Sequence, residues 1–206
     1  MTTIDFYFDP ACPFAWAASR WLVNTAQRRP MTITWRQMSL AILNEGTEVP
    51  AKQRHHLEVS QQLGRVLAAA HDASGDTALG PLYTSLGQRL HTRGAPLTTE
   101  LVIEALTESD MDPQLAAQMN NAVFDSSVRV AHQESQHRLG DTGGSPIVCI
   151  DGHCFFGPVL TAIPDATEGD DLFDALLTLA GTRSFAQLQR PHQGHQHSPT
   201  DDQAPR

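Results

Sequence analysis

The sequence predicts an α/β fold in which an all-helical insertion separates the two halves of one sheet. Three observations support this prediction. β-rich segments lie before residue 40 and after residue 144, the long stretch between them has helical periodicity, and Asp151-Gly152 separates the last two β-rich runs. Asp-Gly is a strong hairpin signal, because a type I′ turn needs positive φ at both central residues. The expected order is therefore β-α-β, helices, β-β-α.

The first half of the sheet is predicted to be a strand-helix-strand unit. Residues 4–8 are β-rich and end at Asp9-Pro10, while Pro13 to about Gln27 has apolar residues at helical spacing. Residues 31–38 alternate in polarity and predict a second strand, parallel to the first. Cys12 then follows the carboxyl end of the first strand, where α/β sheets place their sites.

The middle of the chain predicts a helical insertion, which we assign to residues 51–139. Segments with helical periodicity, separated by glycine and proline breaks, span residues 57–70, 79–92, 99–108 and 112–139. Residues 1–50 and 140–186 then form one thioredoxin-like domain, since β-α-β followed by β-β-α is the order of that fold, with its last helix at about residues 170–180. Residues 187–206 are rich in Gln, His, Pro and Asp and are expected to be disordered.

Composition limits the partners of the protein. The 206 residues carry 14 Lys+Arg against 23 Asp+Glu, and this net charge of −9 disfavours nucleic acid. No apolar run approaches the length of about 18 residues that a membrane span needs, and the N-terminus lacks the regions of a signal peptide. We therefore expect a cytoplasmic protein, a monomer or homodimer, with a small-molecule substrate rather than nucleic acid or a membrane as its partner.

Metal and nucleotide cofactors are not predicted. The chain has 10 histidines, including His192, His195 and His197 in the tail, but no Cys or carboxylate partner lies at structural-zinc spacing. A weak, adventitious metal site is the most that this pattern supports. No Gly-rich phosphate loop is present either, so the sequence supports neither a nicotinamide nor an ATP site.

Cys12 is the candidate nucleophile. It lies at the expected N-cap of the first helix, with Pro13 at the first helical position. The helix dipole and the free N–H groups favour a thiolate, which predicts a pKa below the usual thiol value of about 8.5. The alternative is a small buried hydrophobic residue, since free cysteines are often buried. Ala15 stands three residues later, so an internal Cys-x-x-Cys disulfide is impossible.

A single sulfur leaves two kinds of chemistry open. One is thiol exchange, in which a second small thiol resolves the mixed disulfide. The other is isomerisation of an activated alkene or polyene by reversible thiolate addition, which changes no oxidation state. A non-catalytic binding module that has lost its resolving cysteine is a third reading, and an unreactive Cys12 would favour it.

Several segments match a known family in their order and spacing. They are Asp5–Trp16 (DFYFDPACPFAW), Ser19–Trp21, Met38–Glu45, Pro81–Tyr83, Gly87–His91, Gly144–Pro146 and Phe155–Leu160. With these segments, and over about residues 4–183, the chain resembles the actinobacterial mycothiol-dependent, DsbA-like reductases, which include enzymes that reduce nitroaromatic compounds. The resemblance implies mycothiol as co-substrate, a helical insertion in the thioredoxin fold and a cis Ser145-Pro146 peptide bond.

The resemblance also assigns site residues by position. Cys12 matches the nucleophile, and Phe14 replaces the commoner Trp of the motif. Asn44 matches a residue that lines the site, although Asn also commonly caps turns. His91 is a candidate proton donor or thiol contact, because His titrates near neutrality, but a packing role is equally expected.

Further site candidates flank Cys12. Ser145 and Pro146 are expected to bind an extended thiol or peptide beside the nucleophile, whereas most X-Pro bonds are trans. Pro13 and Trp16, within one turn of Cys12, are expected at the pocket. The sequence departs from the family pattern at Ala15 and around Gln53, where a pocket-lining Tyr is expected. Both departures argue against the classical reductase cycle.

Cys149 and Cys154 are predicted to face each other across the hairpin as a non-hydrogen-bonded pair. They are close enough for a cross-strand disulfide, but two reduced thiols are expected in a reducing cytosol. Cys149 lies three residues past Pro146, about 10 Å along a strand, and so is not expected to resolve Cys12.

Overall fold

A computed structural model describes residues 1–191, and its four strands form one mixed sheet. Strand β1 pairs in parallel with β2 and antiparallel with β3, and β3 pairs antiparallel with β4, so the order is β2-β1-β3-β4. The strands are β1 Thr2–Phe8, β2 Met31–Gln37, β3 Ile147–Ile150 and β4 His153–Phe156. The predicted α/β, thioredoxin-like fold is confirmed. Most of the tail predicted to be disordered, with its three histidines, lies outside the described residues.

Seven α-helices lie in residues 1–191. They are α1 Pro13–Ala26, α2 Leu40–Leu43, α3 Ala51–Ser74, α4 Leu79–Gly87, α5 Thr99–Glu108, α6 Asp125–Leu139 and α7 Ala166–Ala180. Five of them, the short α2 and the longer α3 to α6, occupy the stretch between β2 and β3. None of them combines the length and the apolar character that a membrane crossing requires.

Two of the predicted helices are interrupted. The segment 79–92 changes from α4 into a π-helical turn, Gln88–Thr92, and the segment 112–139 begins as 3₁₀ helix, Pro113–Asn120 and Ala122–Phe124. In the second case a local cap begins a new piece of helix, because the Asn121 side chain accepts a hydrogen bond from the Val123 N–H group. Asx side chains compete in this way with helical backbone hydrogen bonds, which periodicity alone does not show.

The core lies on both faces of the sheet. Ile4, Phe6 and Phe8 alternate along β1 and are fully buried with α1, α3 and α4, whereas Tyr7 points to the other face with Met38, Ile147 and Cys149. On the first face Trp21 of α1 donates its Nε1–H to the Gly169 carbonyl of α7 at 2.8 Å. This alternation fixes which side of the sheet each cysteine occupies.

The β3–β4 hairpin forms as predicted, and its cysteines are joined. Asp151 and Gly152 both have positive φ, 47° and 87°, and Cys149 stands opposite Cys154 in register. The two Cα atoms are 3.9 Å apart and the sulfurs form a disulfide, which corrects the expectation of two reduced thiols. The expectation was based on the redox state of the compartment, whereas the turn geometry alone brings both sulfurs into contact.

Gly87 lies where helix α4 packs against Trp16 of α1. A Cβ atom at this position would lie 2.2 Å from Cζ3 and 2.3 Å from Cε3 of Trp16, a buried side chain. We expect Gly87→Ala to lower the free energy of unfolding by about 1–3 kcal/mol, measured by urea denaturation. Gly181→Ala is the control, because its nearest neighbours are 3.7 Å away and its φ is −76°. An equal effect of both substitutions would contradict the packing argument.

Candidate active site at Cys12

Cys12 is the N-cap residue of α1, directly after the β1 strand and its short loop. Pro13 occupies the first turn, and the Cys12 Sγ atom accepts a hydrogen bond from the Ala15 N–H group at 3.5 Å. The residue is 4% exposed. The cap geometry is that of the predicted nucleophile, while the burial is that of the alternative, a small hydrophobic residue.

The loop before β3 lies against the thiol. The Cys12 S–H group donates to the Ser145 carbonyl oxygen at 3.3 Å, and the Ser145-Pro146 peptide bond is cis. The Ser145 hydroxyl accepts in turn from the Asp9 N–H group at 2.9 Å. The structure therefore brings Cys12, Ser145 and Pro146 together, although more than 130 residues separate them along the chain.

Burial decides the protonation state of the thiol. It raises the pKa of the Cys12 thiol to about 11, and the nearby Asp9 carboxylate raises the pKa further. The N–H groups of Ala15 and Phe14 and the contact with Ser145 act in the opposite direction but are outweighed. The prediction of a lowered pKa is thus wrong for this state of the protein, because the helix N-terminus does not offset the loss of water around the sulfur.

Asp9 is a member of the site that the sequence analysis missed. Its side chain is fully buried and accepts hydrogen bonds from the Ala11 N–H at 2.8 Å, the Leu40 N–H at 2.6 Å and the Ser60 hydroxyl. Burial nevertheless raises the pKa of this carboxyl. The sequence did hold one signal, because Asp9 directly follows the first strand, at the carboxyl end where α/β sheets place their sites.

His91 binds the active-site loop as a neutral ring. Its Nε2–H donates to the Pro10 carbonyl at 2.9 Å, and the ring stacks on Trp16 with centroids 5.9 Å apart. Burial lowers the pKa of His91 to about 4. At neutral pH the ring is therefore uncharged, which corrects the proposed role as a proton donor that titrates near neutrality. His91 lies on the π-helical turn, a feature that often marks functional sites.

Trp16 and Tyr83 form the buried wall beneath the nucleophile. Trp16 is 4% exposed, and Tyr83 lies edge-on to it at 5.8 Å and stacks on Phe8 at 3.8 Å. Burial and the Cys12 charge both raise the pKa of Tyr83. The nearby Ser19 hydroxyl acts in the opposite direction on this pKa. That hydroxyl donates to the Trp16 carbonyl and accepts from Arg20 Nε, and the Tyr83 hydroxyl makes no hydrogen bond of ordinary geometry within residues 1–191.

Asn44 and Phe14 are less closely involved. Asn44 is the C-cap of α2, where its Nδ2 donates to the Leu40 carbonyl at 2.8 Å, so the structure shows the capping alternative. It is connected to the site through Leu40, whose N–H binds Asp9. Phe14 is partly buried and packs against the main core, and Gln53 is an exposed residue in the first turn of α3.

Two cavities in the described part of the chain lie away from the thiol. A cavity of about 250 Å³ lies between α2, α3 and α6, and one of about 550 Å³ lies beside α5, but Cys12 lines neither. Within the described part of the chain, no group of three or more His, Cys, Asp or Glu side chains is placed to hold a metal ion.

Two sequence comparisons bear on the family to which the chain belongs. Residues 11–190 match the model of the Rv2466c-like family, described as mycothiol-dependent nitroreductase Rv2466c. The chain is 31% identical over 198 residues to the uncharacterized protein Rv2286c of Mycobacterium tuberculosis, covering 93% of this chain and 83% of that protein.

Solved structures show the fold alone, because their identities are low. The cytosolic disulfide reductase DsbM of Pseudomonas aeruginosa, solved with GSH, is 13% identical with a TM-score of 0.54, covering 85% of this chain and 99% of that one. A 2-hydroxychromene-2-carboxylate isomerase is 18% identical with a TM-score of 0.56, covering 86% of this chain and 94% of that one.

The protonation state of Cys12 predicts a shifted pH profile for its alkylation. With a pKa of about 11, roughly one thiol in a thousand is ionised at pH 8, so labelling by iodoacetamide should be slow and should rise tenfold per pH unit. Intact mass measures the rate, and a Cys12→Ser variant supplies the background. A rate that reaches its plateau below pH 9 would contradict the dominance of burial.

The unpartnered hydroxyl of Tyr83 predicts an unusual effect on stability. Tyr83→Phe removes a buried polar group that makes no hydrogen bond, so the free energy of unfolding should stay unchanged or rise. Tyr7→Phe is the matched control, because the hydroxyl of the buried Tyr7 donates to Glu134 at 3.4 Å. This variant should lower the free energy of unfolding by up to about 1 kcal/mol. Chemical denaturation compares the two, and a larger loss for Tyr83→Phe would show a partner for its hydroxyl.

Proposed function

Because the chain belongs to the Rv2466c-like family of mycothiol-dependent nitroreductases, we propose that it is a cytoplasmic monothiol enzyme that uses mycothiol on a small electrophilic substrate. The chain is a thiol-dependent enzyme of DsbA-like fold. The finer proposal is that it reduces its substrate, or exchanges thiols with it, through Cys12 alone.

One observation supports a single-sulfur cycle above all others. The chain has 3 cysteines, of which Cys149 and Cys154 are bonded to each other, and Cys12 is the free one. The position of a resolving cysteine holds Ala15, which is fully buried. A mixed disulfide on Cys12 must therefore be resolved by a second molecule of small thiol.

The proposed exchange consumes one free mycothiol per mixed disulfide of substrate and mycothiol. The Cys12 sulfur attacks the mycothiol sulfur of the mixed disulfide, the bond to the substrate sulfur breaks, and the substrate leaves as a thiol with the Cys12 proton. A free mycothiol then attacks the mycothiol sulfur bound to Cys12, so that mycothiol disulfide leaves and its proton restores the Cys12 thiol. The substrate sulfur is reduced to a thiol while the free mycothiol is oxidised into mycothiol disulfide.

The surrounding groups have separate parts in this proposal. The Ala15 N–H group stabilises charge on the Cys12 sulfur, and the Ser145 carbonyl holds the resting thiol. The loop that contains Pro146 lies beside the sulfur and would position the incoming thiol. Cys12 is 4% exposed, so water does not solvate its sulfur. The bound mycothiol or substrate must supply polar groups next to the sulfur, and the cost of ionising the thiol falls only when such a partner is bound.

A second candidate function is isomerisation of an activated alkene or polyene. The buried methyl group of Ala15 supports it, because addition and elimination of one thiolate need no resolving thiol. The thiolate adds to the double bond, the resulting single bond rotates, and elimination restores the sulfur and a double bond of the other geometry. No electrons are transferred and mycothiol is not consumed. A non-catalytic thiol-binding module is the third alternative.

The experiment that tests the proposal measures both the mycothiol bound to Cys12 and the reduction of a mycothiol mixed disulfide. After incubation with mycothiol disulfide, intact mass should show one mycothiol on the wild-type chain and none on Cys12→Ser. In Ala15→Cys the new thiol should resolve the adduct, so the adduct should give way to an internal disulfide with Cys12. Turnover of a mycothiol mixed disulfide should fall to the uncatalysed rate in Cys12→Ser.

The outcomes separate the candidate functions. Conversion of a polyene probe to a product of equal mass, without loss of mycothiol, would show that the chain is an isomerase and not a reductase. Cys12 that stays unmodified by mycothiol disulfide and by electrophiles until the chain unfolds would leave only the binding module.

A further inference from the structure

The β3–β4 hairpin holds a second pair of sulfurs that the function proposed above does not use. Cys149 and Cys154 occupy directly opposed positions, flanked by the register pairs Val148 with Phe155 and Ile150 with His153. The backbone pairing and the turn hold the two residues opposite each other whether or not the sulfurs are bonded. Reduction would therefore leave two adjacent thiols that can pair again without a conformational search.

The two cysteines differ in their exposure to solvent. Cys149 is 1% exposed and packs with Tyr7, Met38 and Ile147 under the sheet. Cys154 lies on β4, the outer strand of the sheet, and is partly exposed. We therefore expect an external thiolate to attack at Cys154 and not at Cys149, and disulfide exchange depends on which sulfur is attacked.

The hairpin pair lies apart from Cys12. Residues of β3 alternate between the two faces of the sheet. Val148 and Ile150 lie in the same core as Cys12, whereas Cys149 lies in the cluster on the opposite face. The Cys12 thiol contacts the Ser145 carbonyl, four residues before Cys149. The sheet thus separates the pair from Cys12, and each can react without the other.

We propose that Cys149 and Cys154 form a second thiol-exchange site, a two-electron couple that reacts with low-molecular-weight thiols at the Cys154 sulfur. The first thiolate attacks Cys154, forms a mixed disulfide there and displaces the Cys149 sulfur, which takes up a proton. A second thiolate attacks the bound small thiol, so that the small disulfide leaves and Cys154 becomes a thiol. One disulfide in the chain is reduced while two small thiols are oxidised to one disulfide.

The position of the displaced sulfur predicts how the intermediate behaves. The register keeps the freed Cys149 sulfur next to the mixed disulfide on Cys154. This sulfur should attack that bond at once and close the hairpin disulfide again. The mixed disulfide should therefore not accumulate unless Cys149 is removed, which gives the proposal a specific signature.

The test uses the full chain with Cys12→Ser, so that only the hairpin sulfurs remain. The folded protein is equilibrated with glutathione and glutathione disulfide at a series of ratios, quenched with iodoacetamide and weighed intact. We expect a shift from no carbamidomethyl group to two as the thiol fraction rises, with no stable glutathione adduct. Mycothiol with its own disulfide should give the same end states.

Paired variants assign the reactive sulfur. With glutathione disulfide, Cys12→Ser combined with Cys149→Ser should gain one glutathione, on Cys154. Cys12→Ser combined with Cys154→Ser leaves the buried sulfur, and its adduct should form at least about tenfold more slowly. Circular dichroism checks that both variants fold, and Cys149→Ala replaces Cys149→Ser if the buried hydroxyl unfolds the chain.

Three results would overturn the proposal: a disulfide that is reduced only when the chain unfolds, thiols that stay reduced at every ratio, or equal adduct rates for the two single sulfurs. None of them bears on the function proposed for Cys12, because the test is made in its absence. Failure of the Cys12 proposal likewise leaves this result unchanged.

Discussion

Three hydrogen bonds converge on the buried carboxylate of Asp9, and the arrangement of the site depends on them. They come from the loop after β1, from the start of α2 and from Ser60 on α3. A buried carboxylate without partners would be strongly destabilising, so these donors must stay in place. The Asp9 N–H group in turn binds the Ser145 hydroxyl. One residue thus connects the first strand, the helical insertion and the cis-proline loop.

The same network makes Cys12 a resting thiol. Its helix supplies N–H groups to the sulfur, but burial and the charge of Asp9 outweigh them. His91 closes the other side of the loop through the Pro10 carbonyl and stays neutral there, because its surroundings disfavour the imidazolium ion. A nucleophile held in this way has its reactivity set by what binds next to it rather than by the helix dipole.

The sheet divides the sulfur chemistry of the chain in two. Alternation along β1 and β3 places Cys12 with one core and the Cys149 and Cys154 pair with the other. Ala15 leaves Cys12 without a resolving cysteine in its own motif, and the sheet separates Cys12 from the hairpin pair. The protein therefore combines a one-sulfur site at a helix N-terminus with a separate pair of sulfurs on an outer strand.

The sheet halves, the Asp151-Gly152 hairpin, the cap position of Cys12 and the register of Cys149 opposite Cys154 could be predicted from the sequence, but the disulfide between these two cysteines could not. The predicted features depend on neighbours within a few residues or on simple alternation. The pKa values of Cys12 and His91 and the role of Asp9 could be read only from the folded chain. The physical reason is desolvation: burial of a charged or polar group is set by segments distant in sequence, and local pattern does not report it.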